Sequence, residues 1–194
     1  MSTTDDYLKA KARPDDLLAA VLHDHAEIKQ LFAAVERASG SERREEAFRE
    51  LTRKLIVHET AEQEVVHPLT GNAPGGEAVV RDRLEEEKSD EQLLDRLEKM
   101  GVDDPGFDAA LRSLRADVVA HAEHEEEHEH PILDREIDRD RLVTLARVFR
   151  AAESTAPTHP HPGSPTSPAG NAVVGPFAAI ADRARDAIHA ARSS

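Results

Sequence analysis

Residues 58–68 and 121–131 repeat one pattern, H-x3-E-x4-H-P: His58, Glu62, His67 and Pro68, then His121, Glu125, His130 and Pro131, 63 residues on at every matched position. A histidine and a carboxylate four apart share one face of an α-helix. Helical bundles aim metal ligands inward by this spacing. Two more polar residues fall on inner positions of other helical stretches, His25 before the first block and Glu87 between the two. Imidazole nitrogen and carboxylate oxygen together suit iron, manganese or zinc, and a carboxylate can bridge two ions. His25, His58, Glu62, Glu87, His121 and Glu125 therefore fit a two-metal centre, with Glu91, one turn beyond Glu87, as a seventh candidate ligand.

Composition narrows the chemistry. Cysteine is absent, which removes disulfides, thiolate nucleophiles and sulfur-ligated metals. The formal charge of −14 repels phosphate backbones and anionic membrane surfaces, so neither nucleic acid nor membrane is expected as a partner. No apolar run approaches the roughly 20 residues of a membrane span, and the N-terminus lacks a basic-then-apolar leader. The expected location is the cytoplasm.

The elements that must position these residues are helices. Aromatics are 3% and charged residues 33% of a chain whose apolar content is mainly aliphatic, a composition that favours helix over sheet. Asp15 or Asp16 caps a first helix running to about Ser39-Gly40, with Leu18, Leu22, His25, Ile28, Phe32 and Val35 on one face. Ser41 is expected to cap a second, with an inner face of Phe48, Leu51, Leu55, His58, Glu62, Val65 and Leu69. A third runs from about Glu77 to Met100 and presents Leu84, Glu87, Glu91, Leu94 and Leu97 or Glu98. The fourth presents Leu111, Leu114, Val118, His121, Glu125, His128 and Ile132.

The repeat covers whole helices. The fourth follows the second with an offset of 63, and the third follows the first with an offset of 62, pairing Leu22 with Leu84, His25 with Glu87 and Val35 with Leu97. Two helical hairpins joined by short loops predict an all-α, up-down-up-down antiparallel four-helix bundle with extra C-terminal helices. At about 1.5 Å rise per residue, the polar inner residues fall within roughly two turns of one level.

The domain scheme is a flexible N-terminus at 1–14 and a bundle at 15–153, closed by a short fifth helix around Leu142, Leu145, Ala146 and Phe149. A proline-rich linker at 154–171 and a short amphipathic helix at 172–194 follow; the stretch 176–190 offers a contact for a partner or a second copy. The remaining charged residues are read conservatively. His124 and Glu126 to Glu129 form a solvated face, His23 points outward, and His128 is a core or rim histidine. His67 and His130, each before a proline, complement a helix C-terminus. A metal-free alternative stays open, in which the inner His and Glu residues form hydrogen-bonded networks in a helical interaction module.

Asp24-His25 with Ile28 and Leu31-Phe32, His58-x3-Glu62 with Pro68, and His121-x3-Glu125 with Pro131 resemble, over about residues 17–133, the hemerythrin-like or HHE cation-binding proteins. The segment from Gly175-Pro176-Phe177 to Ala187 looks like a tail of bacterial relatives. The resemblance implies a non-haem di-iron centre in the bundle, with Glu62 and Glu125 bridging and His25, His58 and His121 as terminal ligands. It implies O2, peroxide or nitric oxide binding or sensing, or iron handling. Where that family often has His-x3-His on its third helix, this chain has Glu87 and Glu91. More carboxylate favours the higher oxidation state of iron and resembles ferritin-like di-iron oxidases and peroxidases, the alternative activity.

Overall fold

A computed structural model describes residues 15–156. The expected flexible segment at 1–14, nearly all of the linker and the helix at 172–194 lie outside the described residues. Among those described, every regular element is helical. Asp16 caps α1 (Leu17–Arg37), its carboxylate accepting the Ala19 N–H at 3.0 Å. A second helical rod is built of α2 (Ser41–Ala61), a π-helical turn π1 (Glu62–Val66) and α3 (His67–Gly71). After α4 (Gly76–Met100), a third rod repeats the design as α5 (Phe107–His124), π2 (Glu125–Glu129) and α6 (His130–Glu136). Asp138 then caps α7 (Arg139–Glu153) by accepting the Arg141 N–H at 3.0 Å.

α1 packs on α2 and α4 on α5, the two expected hairpins, and α7 lies against α1 and α2. The turns use glycine where the backbone needs positive φ: Gly40 (86°), Gly75 (82°) and Gly101 (78°). Gly40, not Ser41, sits at the cap position of α2. The Ser41 hydroxyl instead donates to Asp103 at 2.6 Å, tying that turn to the α4–α5 loop.

The interior is layered. One apolar cluster, including Ile28, Phe32, Phe48, Leu51, Leu94, Phe107 and Leu114, fills the end of the bundle near Gly40 and Gly101. A second, including Leu18, Val21, Val65, Val66, Leu133, Leu142, Leu145 and Phe149, fills the other end. Much of that second cluster comes from α7, so the fifth helix closes the bundle rather than decorating it. The polar inner residues lie between the two.

The inner faces depart from a uniform helical period at two places. In π1 and π2 the N–H of His67 reaches back five residues to Glu62 O, and that of His130 to Glu125 O. Each π turn ends two residues before a proline. Pro68 and Pro131 have no N–H for the residue four back, and their rings crowd that carbonyl, so the register slips by one in the turn ahead of each. The expected continuation through Leu69 and through His128 and Ile132 is therefore wrong. His67, Thr70, Glu129, His130 and Leu133 turn inward, Leu69 and Ile132 are half-buried, and His128 is exposed. In α4 the seam is Arg83, Glu87, Asp90, Leu94 and Leu97. Leu84 and Glu91 flank it half-buried, because an inner position three or four residues from Glu87 satisfies the helical period equally well.

One contact of the turn joining the two hairpins is testable. A Cβ on Gly76 would lie 1.8 Å from the Thr70 carbonyl oxygen, a backbone atom that cannot swing away. Gly76→Ala is expected to destabilise by the amount typical of overpacking, about 1–3 kcal/mol or more. Gly40→Ala meets no atom within 4 Å and carries only the strain of its glycine-type backbone (φ 86°, ψ 143°), about 1–3 kcal/mol. Denaturant unfolding of both variants checks this; a Gly76→Ala protein as stable as the native chain would refute the contact.

Candidate metal centre

The layer between the two apolar clusters gathers side chains from all four bundle helices. α1 supplies His25, α2 supplies His58 and Glu59, and α4 supplies Glu87. The two π turns open on Glu62 and Glu125, and α5 supplies His121. One ligand atom from each of His25, His58, Glu62 and Glu125 lies within 4.8 Å of every other; the same holds for Glu59, Glu87 and His121. The two groups join at Glu125. Its Oε2 is 3.2 Å from His25 Nε2 and its Oε1 is 3.3 Å from His121 Nε2. Glu62 faces His58 Nε2 at 3.3 Å and His25 Nε2 at 3.8 Å. Of the seven residues singled out by spacing, six thus meet in two adjoining groups. Glu91 belongs to neither, and Asp90 holds the inward position on its turn.

The far side of each imidazole is held by another carboxylate. His25 Nδ1 contacts Glu126 at 3.0 Å, His121 Nδ1 contacts Glu86 at 3.0 Å, and His58 Nδ1 faces Asp24 at 3.6 Å. Such outer carboxylates set the orientation and tautomer of a metal-binding imidazole. They obey the internal repeat: Asp24 precedes His25 and Glu86 precedes Glu87, and each serves the histidine of its own hairpin. Asp24, fully buried, is itself gripped by Arg150 of α7 at 2.8 and 3.0 Å and by Lys54 at 3.0 Å.

Inside the layer the polar atoms lack hydrogen-bond partners. His25 Nε2, His121 Nε2, the inner oxygen of Glu59, and all four oxygens of Glu62 and Glu125 are buried and unpaired. Buried polar groups are nearly always satisfied, and here the outer nitrogens of His25 and His121 are. Orphaned atoms that converge from several helices fit cations in the layer, and their nitrogen and oxygen donors suit iron, manganese or zinc.

The electrostatics agree. Burial pushes Glu62 up, and the neighbouring Glu125 charge adds to it. Burial also works against Glu125, but His121 and His25 outweigh it and hold that carboxyl well below the usual range. Burial opposes charge on His25 and His121; their carboxylate neighbours, Glu125 foremost, nevertheless raise both well above the ordinary imidazole value. Burial raises Asp90 to about 7, against the pull of His121. Each histidine proton stands where a cation would otherwise balance the carboxylates.

Sequence reasoning missed five residues around this layer. Glu59 adjoins His58 off the seam, and its Oε2 lies 3.8 Å from His121 Nε2. Glu126, expected on a solvated face, contacts His25. Buried His67 contacts Glu87 through Nε2 and Glu129 through Nδ1 at 3.1 Å. Glu129 is wholly buried. Buried His130 lies parallel to His25, ring centroids 6.3 Å apart, and burial followed by the His25 charge lowers it to about 4. The signal that marks the last three is the repeated His-Pro dipeptide, because it shifts the register before each proline. A small cavity of about 10 Å³ lined by Ile28, Lys29, Val118 and Val119 reaches His25, His58 and His121. That is the space of about one water molecule.

The family model for the hemerythrin HHE cation-binding domain matches residues 16–133. A hemerythrin-like protein of Schizosaccharomyces pombe, itself uncharacterised, is 26% identical over 170 residues, 86% of this chain and 83% of that one. A protein of Nostoc sp. named DNA nickase is 24% identical over 131 residues, 68% of this chain but only 37% of that longer one. No solved structure matches.

The outer carboxylates generate a prediction. Asp24→Asn keeps the shape but removes the charge behind His58, and Glu86→Gln does the same behind His121. Each is expected to weaken metal binding about 10–100-fold, the usual consequence of losing such a partner. Competition against a chelator of known affinity measures it. Unchanged affinity in both variants would show that these carboxylates do not orient ligands.

Proposed function

The chain belongs to the hemerythrin HHE cation-binding family, and on that premise we propose that it carries a non-haem di-iron centre for small oxidants and diatomic ligands. His25 and His58 serve one ion, and His121 with Glu87 and Glu59 the other, with Glu62 and Glu125 spanning the pair. The observation that carries this reading is the set of buried, unpaired atoms on Glu62, Glu125, His25 and His121, all facing one interior space. Bound iron there supplies reversible electron transfer to a small ligand. The protein's own contribution is to exclude bulk water with two apolar clusters, to fix imidazole orientation through Asp24, Glu86 and Glu126, and to leave beside the histidines a cavity with room for about one water. That size supports dioxygen, peroxide or nitric oxide as the partner rather than a larger organic substrate. The charge of −14 and the absence of any described helix long and apolar enough to cross a membrane support a cytoplasmic protein without nucleic-acid or membrane partners.

A second reading is favoured by one feature. The half of the centre around His121 is dominated by carboxylates, Glu59 and Glu87, where the other half has two histidines. Anionic oxygen donors stabilise the more oxidised ion and support an oxidase or peroxidase of the ferritin-like kind over reversible O2 carriage.

Reconstitution with ferrous iron under argon is expected to give about two irons per chain and, on oxidation, near-ultraviolet charge-transfer bands; less than about one iron per chain would overturn the proposal. Rapid mixing of the reduced protein with O2 or peroxide separates the two readings, multiple turnovers favouring the oxidase and reversible uptake the carrier.

Loading must also release protons. His25 and His121 titrate well above the ordinary value when no metal is bound, so they are protonated at neutral pH, whereas ligation requires neutral imidazole. Affinity is therefore expected to rise from about pH 6 to pH 8, with proton release visible as a buffer-dependent heat in calorimetry. Affinity independent of pH would contradict the assignment of these histidines as ligands.

A further inference from the structure

We propose that His67, Glu125 and Glu129 form a third cation site, beside the dinuclear centre, for a divalent ion of the iron, manganese or zinc class. The proposal extends the two-metal reading, with which it shares Glu125. One ligand atom from each of the three lies within 4.8 Å of the others, and all three side chains are buried. One oxygen of Glu129, an ion-pair neighbour of His67 Nδ1 at 3.1 Å, and both of Glu125 have no hydrogen-bond partner. The second Glu129 oxygen accepts from the Thr70 hydroxyl at 3.0 Å, which fixes the carboxylate. With Glu87 in contact on the other side of His67, two carboxylates touch one buried imidazole and a third, Glu125, lies within ligand reach, so acidic groups outnumber the imidazole in this corner of the layer. Such a surplus is costly unless a cation joins it.

The internal repeat supplies a control within the molecule. At an offset of 63, His130 is the counterpart of His67, Val66 of Glu129, and Leu133 of Thr70. Both hairpins carry the same π turn and the same His-Pro step. In one, the matching positions are held by Val66 and Leu133, members of the second apolar cluster, and both ring nitrogens of His130 lack a hydrogen-bond partner. In the other, both apolar residues are replaced, one by an acceptor and one by the donor that holds it. The architecture of the bundle and of the dinuclear centre is thus satisfied by valine and leucine. Glu129 and Thr70 add a polar site that neither requires. A cation there touches Glu125 on one side and neighbours Glu87 on the other, one carboxylate away from each half of the centre.

Titrating chelator-stripped full-length protein with Co2+ or Zn2+ under a competing weak chelator tests the proposal. The native chain is expected to retain three ions. Glu129→Val, which restores the residue of the other hairpin, is expected to retain two, with the Co2+ spectrum of the pair intact. Should that variant fail to fold, Glu129→Gln is expected to show the same loss of one ion. Two ions in the native chain, or three in the folded variant, overturn the third site and leave the dinuclear reading standing. One ion or none in the native chain overturns both.

Discussion

The constraint on which the rest of the structure depends is the burial of carboxylates. Glu62, Glu125 and Glu129 are at most 1% exposed, and Glu87 is 4% exposed, in the middle of a bundle otherwise filled with aliphatic side chains. Each ion taken out of water costs several kcal/mol unless opposite charge and hydrogen bonds replace its hydration. Much of the sequence answers that cost. Five histidines converge on the layer, and the outer nitrogens of four of them rest on further acids, Asp24, Glu86, Glu126 and Glu129. Asp24 in turn draws in Lys54 and Arg150. The two apolar clusters then do what a polar layer cannot: they hold the helices together above and below it. This explains why α7 belongs to the bundle. It closes the second cluster with Leu142, Leu145 and Phe149 while Arg150 reaches the buried Asp24.

Most of this fold was legible in the sequence because its two signals are long-range and redundant. Aliphatic residues alternate at three and four over whole helices, and the second hairpin repeats the first, so the meeting of His25, His58, Glu62, Glu87, His121 and Glu125 followed from period and loop length alone. What escaped notice came from one-residue effects. A helical period read straight through Glu62 and Glu125 puts Leu69, His128 and Ile132 inside. The two prolines break that period by a single residue, and everything after each ligand carboxylate turns by about 100°. His67, Glu129 and His130 therefore looked like helix-end or solvent-facing residues although each is buried. Glu59 and Glu126 were missed for another reason: long side chains just off a seam can bend into it, and spacing reports only where a Cβ points.

The same repeat that made the centre legible also limits how symmetric its chemistry can be. His58 with His121 and Glu62 with Glu125 are true pairs, and even the outer acids Asp24 and Glu86 correspond. Among the places where the copies part are His25 against Glu87, Val66 against Glu129, and Thr70 against Leu133. These substitutions fall together on one side of the layer. There, Glu87 replaces a neutral donor, His67 reaches it from the shifted register, and Glu129 and Thr70 complete the surroundings of His67. A duplicated hairpin needs none of these changes in order to fold, since the opposite side carries Val66 and Leu133 at the matching positions. A pair of metals in equivalent settings would share an electron evenly, whereas anionic oxygen on one side stabilises the higher charge there. Were a metal pair bound there, the side rich in Glu59, Glu87 and Glu129 would favour the more oxidised ion and best balance a further cation. The narrow cavity reaches residues of both halves, His25 and His58 of one and Glu59 and His121 of the other. Division of labour between the two halves follows from which residues stopped obeying the repeat.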